Sequence, residues 1–402
     1  RNLTDKFDTQ EDVLTSLREY ACRWAKKRLR PHPSPMDLCE PCVGNSATYD
    51  VSRANGGFSQ ALSNLIAEYP VEDLEPPDDV PYGPYQGVSY PLQILDRCLS
   101  LAPTDRPPKG KVSVVRERGH KVRVVSGMEI PALVLSHAAR RRLMKGLRSE
   151  PRLHDVIRGD IDSAISSLTG LSGEIISSDM KSASDLIPLD VANAIVDGLE
   201  ESERFLPVEI TGLRVSTSPQ LLKYPDGEEL LTSRGILMGL PTTWSLLNIM
   251  HLWCWDEAIR TSRDDRYVVP VKADCRVCGD DLIGIAPPQT LDLYEANLFR
   301  VGMRLSPGKH FRARNRGVFL ERLLEFDGHK VLLEAPFAYR RISNKRRVPV
   351  GRKHTLHVDR VRRHWAIPVK GLVRPSVPGR DDPPVWWATA NAEVALVDGG
   401  WD

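Results

Sequence analysis

Two periodicities alternate along the chain, and they predict its elements. Residues 9–29 carry apolar positions at helical spacing among basic residues, so an amphipathic helix is expected there. "PHPSP" (31–35) interrupts the pattern, and "RANGGF" (53–58) reads as a turn. "FSQALSNLIAEY" returns to helical spacing, whereas residues 70–110, rich in Pro, Gly and acids, read as a mostly irregular connection. Period-two runs then predict strands at 111–115 and 120–126, followed by a helix through "LSHAARRRLMKGL".

The middle of the chain has the most regular order. "GEIISSD" (173–179) predicts a strand ending on an aspartate, and "PLDVANAIVDGLEE" predicts a helix opening at Pro188. "LLKYPDGEELLTS" places a Pro-Asp-Gly turn between apolar runs and reads as a hairpin. "RGILMGLPTTW" is a Gly-rich loop leading near Pro241 into a helix apolar on nearly every side, which must be buried. A strand–turn–strand follows around "CGDD", then a helix with Leu291, Tyr294, Leu298 and Val301 on one face that ends at Gly302. "LLEFDGHKVLL" predicts a last hairpin. Omitting the 203–233 insertion, the order is β-α-β-β-α-β, the skeleton of a ferredoxin-like α+β core, which by itself licenses no function.

The chain has 402 residues, so two or three subdomains are expected. It contains no apolar run long enough for a transmembrane helix and no visible signal peptide, and it begins with Arg; the expectation is a processed product or a fragment. A net charge of +2 does not announce a polyanion partner, but its distribution says more: ten Lys/Arg stand against one acid between Arg340 and Arg363. "RRRLMKG" (140–146) and "RWAKKRLR" (23–30) are two further basic clusters. Such clusters suit a phosphate backbone, or simply a solvated face. The seven cysteines, an odd number, suggest a reducing compartment. Cys275 and Cys278 lie three apart on one predicted strand and point to opposite faces, which opposes zinc chelation by that pair; Cys39 and Cys42 leave the one residual doubt.

The chemistry sits in the acids. Alone, Gly279–Asp280–Asp281 is an ordinary hairpin turn. In a ferredoxin-like sheet, however, the first and third strands are adjacent, so Asp179 would meet Asp280 and Asp281. Three converging carboxylates repel one another and call for hard cations such as Mg²⁺. Two such ions about 4 Å apart serve phosphoryl or nucleotidyl transfer. Lys121 and Arg123 share one face of a strand, as suits a triphosphate. Asp185 follows Asp179 by six residues, where a polar acceptor can read a ribose 2′-hydroxyl. Lys309, in a turn after the last core helix, is a candidate proton donor or phosphate contact.

Six segments in this order, "RERGHKVRVVS", "SSDMKSASD", "RGILMGLPTTWSLLN", "VCGDDLIG", "LSPGKHF" and "GVFLERLLEF", resemble motifs F, A, B, C, D and E of viral RNA-dependent RNA polymerases. The details are similar to the levivirus–narnavirus–ourmiavirus lineage, with "DMKSASD" and "GILMGLPTTW" closest to ourmia-like and narnavirus patterns. The resemblance covers about residues 111–326. It implies a right hand: fingers over 1–170, palm over 171–312 with a fingers insertion at 203–233, and thumb over 313–402. It implies Asp179 and Asp280 as principal ligands of two Mg²⁺ ions (Mn²⁺ as substitute), Asp281 as supporting acid, and Lys309 as the motif D lysine. It makes Arg116, Arg118, Lys121 and Arg123 the nucleotide entry path. Asp185, with Thr243 and Asn248, would select ribose, and Gly239 would lie in the nucleotide-contacting loop. Glu321 would stand near the primer, and the basic segment with Arg346, Arg347, Arg352 and Lys353 would grip RNA. Template and product RNA, ribonucleoside triphosphates and a host-cytoplasmic setting are implied with these. Asn248 stands five residues after Thr243, not the more common four, which makes its role less secure. Two other readings remain: a reverse transcriptase, which would usually lack Asp185, and a non-catalytic RNA-binding or capsid-associated protein, which leaves the aspartates unexplained.

Overall fold

The protein is described here from a computed structural model, which covers residues 2–31, 33, 44–68, 94–116, 122–168, 171, 173–262, 273–320, 322–327 and 330–332. The elements that build the site lie in one compact unit, Arg1–Glu117, Lys121–Leu320 and Leu324–Leu333. The class is α+β. In chain order the principal elements are α1 (Glu11–Arg28), α2 (Gly57–Glu68), β1 (Lys109–Arg116), β2 (Val122–Met128), α3 (Ile130–Arg148), α4 (Pro151–Arg158) and α5 (Ile161–Ser166). There follow β3 (Glu174–Asp179), α6 (Ala183–Leu186), α7 (Leu189–Glu201), α8 (Pro207–Thr217), β4 (Leu221–Lys223), β5 (Glu229–Leu231) and α9 (Thr243–Ser262). The last are β6 (Asp274–Cys278), β7 (Asp281–Ala286), α10 (Pro288–Arg300), β8 (Phe311–Ala313), β9 (Arg316–Phe319), β10 (Arg322–Asp327) and β11 (Lys330–Leu332).

The central sheet has the order β6-β7-β3-β8, with β3 antiparallel to both neighbours. This is the strand order of the β-α-β-β-α-β skeleton, with its first and third strands adjacent in the middle. Period-two alternation covers both faces. Ile176, Cys275, Val277, Leu282 and Ala286 join the large core shared with α7, α9 and α10. Ile175, Ile283 and Ile285 pack on the other side with Phe319, Leu324 and Phe326. α9 is buried on nearly every side, as its pattern demands. α10 buries Leu291, Tyr294 and Leu298, and Gly302, at φ +75°, turns the chain at its end.

A second sheet, β2-β1-β4-β5, joins the β1–β2 hairpin to the Pro-Asp-Gly hairpin. β4 pairs with β1 in parallel, Lys109 opposite Leu221. Thus the 203–233 insertion leaves the central sheet and docks on β1. α8, within it, packs on α3, burying the Arg142–Glu209 ion pair between them.

Five expectations change. Residues 94–100, expected to be irregular, are helical, and α8 and the pair α4–α5 were not foreseen. The Thr- and Val-bearing "PVEITGLRVST" has weak helix propensity; a Pro at its first turn and Glu209, whose carboxylate accepts from the Leu206 N–H, start it anyway. The basic cluster at 140–146 is not one solvated face, because Arg142 is buried against Glu209. At 23–30, Arg28 is likewise bound to Glu150.

Candidate functional site

The site forms where β3 ends beside the β6–β7 turn. Cys278 pairs with Asp281, leaving Gly279 and Asp280 as a two-residue loop. Gly279 has φ +67° and Asp280 has negative φ, the pattern of a type II′ turn, whose first position favours glycine. A Cβ at Gly279 would also stand 2.9 Å from the Trp244 indole nitrogen, so both strain and space require glycine.

Register brings two of the three acids directly together. Asp179 is the cross-strand partner of Asp281, so their side chains leave the same face of the sheet. Asp280 sits in the turn, and its carbonyl accepts from the Met180 N–H at 3.3 Å. A loop carrying Lys309 closes over the end of β3. The Ser306 N–H donates to the Asp179 carbonyl at 2.8 Å, and the Lys181 N–H donates to the Arg304 carbonyl at 2.8 Å. Lys309 Nζ then reaches Asp179 Oδ2 at 2.9 Å. The hydrogen bond that Lys309 donates to Asp179 raises the ammonium's pKa against the opposing effect of burial, and the charges of Asp179, Asp281 and Asp280 add to the rise. Asp281 and Asp280 also help to raise the Cys278 thiol to about 12, although burial is the larger cause.

Among the described residues no three acidic, histidine or cysteine side chains already form a metal cage. The donor set nevertheless fits a hard divalent cation: carboxylates only, two of them cross-strand partners, and one already neutralised by an ammonium. Zinc does not fit. Cys275 packs in the helix-side core and Cys278 on the opposite face, both as free thiols. Cys39 and Cys42 lie outside the described residues.

The other predicted residues are placed as follows. Asp185 is half-buried, and its carboxyl is raised by burial against a weak bond from the Ser184 hydroxyl. It lies against Gly235, and the loop is sewn to this segment by bonds from the Gly235 N–H to the Ile187 carbonyl and from the Ile236 N–H to the Ser184 carbonyl. Gly239 presses on β2; a Cβ there would come within 1.8 Å of the Ser126 carbonyl oxygen. Thr243 Oγ1 donates to the Leu237 carbonyl at 2.7 Å and closes the loop. Arg123 lies on β2 opposite Val115, and Arg116 pairs through its backbone with Val122. Arg118, Lys121, Glu321, Arg346, Arg347, Arg352 and Lys353 lie outside the described residues.

Asn248 is committed to contacts within the protein. Its side chain is fully buried; Nδ2 donates to the Trp244 carbonyl at 2.6 Å, and Oδ1 accepts from the Gly279 N–H at 2.9 Å. Oδ1 thus holds the acidic turn, while Nδ2 anchors the side chain to its own helix.

Two residues near the site escaped the sequence reading. His251 Nδ1 lies 2.8 Å from the Gly279 carbonyl. Arg234 is buried; its guanidinium donates to the carbonyls of Leu186, Asp5 and Gly302 and lies over the Phe7 ring. A histidine in an otherwise apolar helix and an arginine opening a Gly-rich loop were the available signals.

No protein-family model matches the chain. Two known proteins do. The RNA-directed RNA polymerase of Saccharomyces 20S RNA narnavirus is 57% identical over 397 residues, 98% of this chain and 48% of that protein. The RNA-directed RNA polymerase of Saccharomyces 23S RNA narnavirus is 32% identical over 336 residues, 78% of this chain and 34% of that protein. The chain thus spans half or less of the length of these relatives.

Proposed function

We propose, from a chain that belongs by sequence with the narnavirus polymerases, that this protein carries the catalytic core of an RNA-directed RNA polymerase. The observation that carries the reading is the register of Asp179 opposite Asp281 across a turn holding Asp280. An RNA template, a growing RNA and ribonucleoside triphosphates are the substrates. The right-hand layout goes with it: β6-β7-β3-β8 as palm, residues 1–170 and the 203–233 insertion as fingers, 313–402 as thumb. Support for the insertion's assignment is the parallel pairing of β4 with β1.

Asp179, Asp280 and Asp281 would hold two Mg²⁺ ions. Bound there, divalent ions would supply Lewis-acid chemistry for the attacking 3′-hydroxyl and the leaving pyrophosphate. The chain's own residues do the rest. Lys309, whose Nζ lies 2.9 Å from Asp179 Oδ2, is the candidate proton donor or phosphate contact for the leaving group. Asp185, behind the motif A turn, offers an acceptor for a ribose hydroxyl. Arg123 on β2 faces the incoming phosphates.

The test is extension of an RNA template by the purified chain with Mg²⁺ or Mn²⁺ and ribonucleotides. Asp179→Ala and Asp280→Ala should each lose extension by about a thousandfold or more while still binding RNA. Normal extension by both variants rejects the reading.

A further inference from the structure

Both peptide groups of Gly279 are gripped by α9. Asn248 Oδ1 takes the N–H, and His251, one helical turn further on, meets the carbonyl. A carbonyl oxygen only accepts, so Nδ1 carries the imidazole proton. His251 is fully buried, and burial lowers its pKa to about 4 against the opposing bond to Gly279, so the ring is neutral and Nε2 is an acceptor. The Tyr294 hydroxyl is its donor, at 2.7 Å, from a ring stacked at 15° to the imidazole. The Ser178 side chain, on the residue before Asp179, faces the Tyr294 hydroxyl and acts to lower its pKa against the burial that raises it. Ser178 faces the helix layer while Asp179 faces the open side. From Ser178 the chain of contacts runs on to His310 Nδ1 at 3.2 Å, beside Lys309.

One buried relay therefore touches the backbone of the acidic turn, the strand of Asp179 and the segment of Lys309, always from behind. We propose that His251 and Tyr294 are positioning residues, fixing the Gly279–Asp280 turn against β3 and so setting the carboxylate spacing that a divalent cation meets. This rests on the reading of those carboxylates as cation ligands. Neither residue touches substrate.

The experiment uses the full chain and Tb³⁺ as the metal probe, with luminescence sensitised through Trp244, whose indole lies against Gly279. Tyr294→Phe keeps the ring and its packing and deletes only the hydroxyl. Loss of one buried hydrogen bond predicts a half-saturating Tb³⁺ concentration raised about fivefold. The Mg²⁺ concentration for half-maximal RNA extension should rise in parallel, with the nucleotide KM at saturating Mg²⁺ unchanged. His251→Asn retains a donor for the Gly279 carbonyl but cannot reach Tyr294, and should match Tyr294→Phe. Leu298→Ala, a buried truncation on the same helix, should lower thermal stability and leave the Tb³⁺ titration unchanged. The proposal is overturned if Tyr294→Phe and His251→Asn bind Tb³⁺ like the parent, if Leu298→Ala weakens binding equally, or if the parent has no Asp280-dependent Tb³⁺ site. Should the titrations behave as expected while no variant or parent extends RNA, the polymerase reading fails and the relay stands.

Discussion

Asn248→Ala separates two roles that its position in the sequence does not. If the residue selects ribose, its loss relaxes sugar discrimination; if it holds the acidic turn, its loss destabilises that turn. The geometry supports a calculation for the second. Asn248 is fully buried and the Gly279 N–H donates to it at 2.9 Å, so alanine leaves a buried donor unmatched. That costs about 1–3 kcal/mol, with a smaller loss from the Trp244 carbonyl. In a compact unit of about 330 residues about 1 kcal/mol moves Tm by roughly 1.5 °C, so a fall of roughly 2–5 °C is expected. Asn248→Asp keeps an acceptor for Gly279 but sets an anion against the Trp244 carbonyl, and should lie between the two. The assays are thermal unfolding and competition between ribo- and deoxynucleotides in the extension reaction. The expected result is lowered Tm and lowered rate with unchanged sugar preference. Unchanged Tm with freer use of deoxynucleotides would refute the reasoning.

Asp185→Ala should give the opposite pattern, with weakened ribose preference in the same competition and little loss of stability. Gly279→Ala forces an L residue to φ +67° and a methyl against Trp244, so a loss of about 1–3 kcal/mol by denaturant titration is expected. Removing Glu209 takes from the buried Arg142 a buried carboxylate partner, and Glu209→Ala should lose about 3–5 kcal/mol, most of it regained in an Arg142→Met/Glu209→Leu double variant. His251 has its pKa lowered on folding, so the unfolded chain binds the extra proton. Its contribution is complete above about pH 6.5 and is lost as pH falls towards about 4, where the folded-state pKa lies. The difference in acid stability between the parent and His251→Asn should grow with pH across that window; a flat difference would contradict a buried neutral imidazole.

The secondary elements around the acids were legible because each carries local signals. "GEIISSD", the Gly-Asp turn and the helical face of Leu291, Tyr294 and Leu298 all stand where the periodicity put them. The pairing of Asp179 with Asp281 followed from topology, since adjacent central strands leave little freedom of register when both faces are buried. What stayed hidden depends on partners far apart in the chain. Nothing around Asn248 announces that its acceptor lies on Gly279, and the polar end of Tyr294 is indistinguishable from a plain core position until His251 is found beside it. Arg142 looked like surface charge because Glu209, its partner, comes from a helix that the sequence did not reveal.

The central position of β3 has a consequence for how the protein is made. Its two neighbours, β7 and β8, both lie more than a hundred residues later in the chain. During synthesis the strand leaves the ribosome with neither edge paired, and it waits while the whole insertion and α9 are produced. Such long-range pairing is slow, and an apolar strand with two open edges is a template for pairing with other chains. The α1–α7 and α3–α8 packings can form earlier, and they give the waiting strand a folded neighbourhood. The carboxylate site is therefore among the last features to assemble, and a nascent chain halted before residue 281 contains Asp179 without the partner strand that gives it a function.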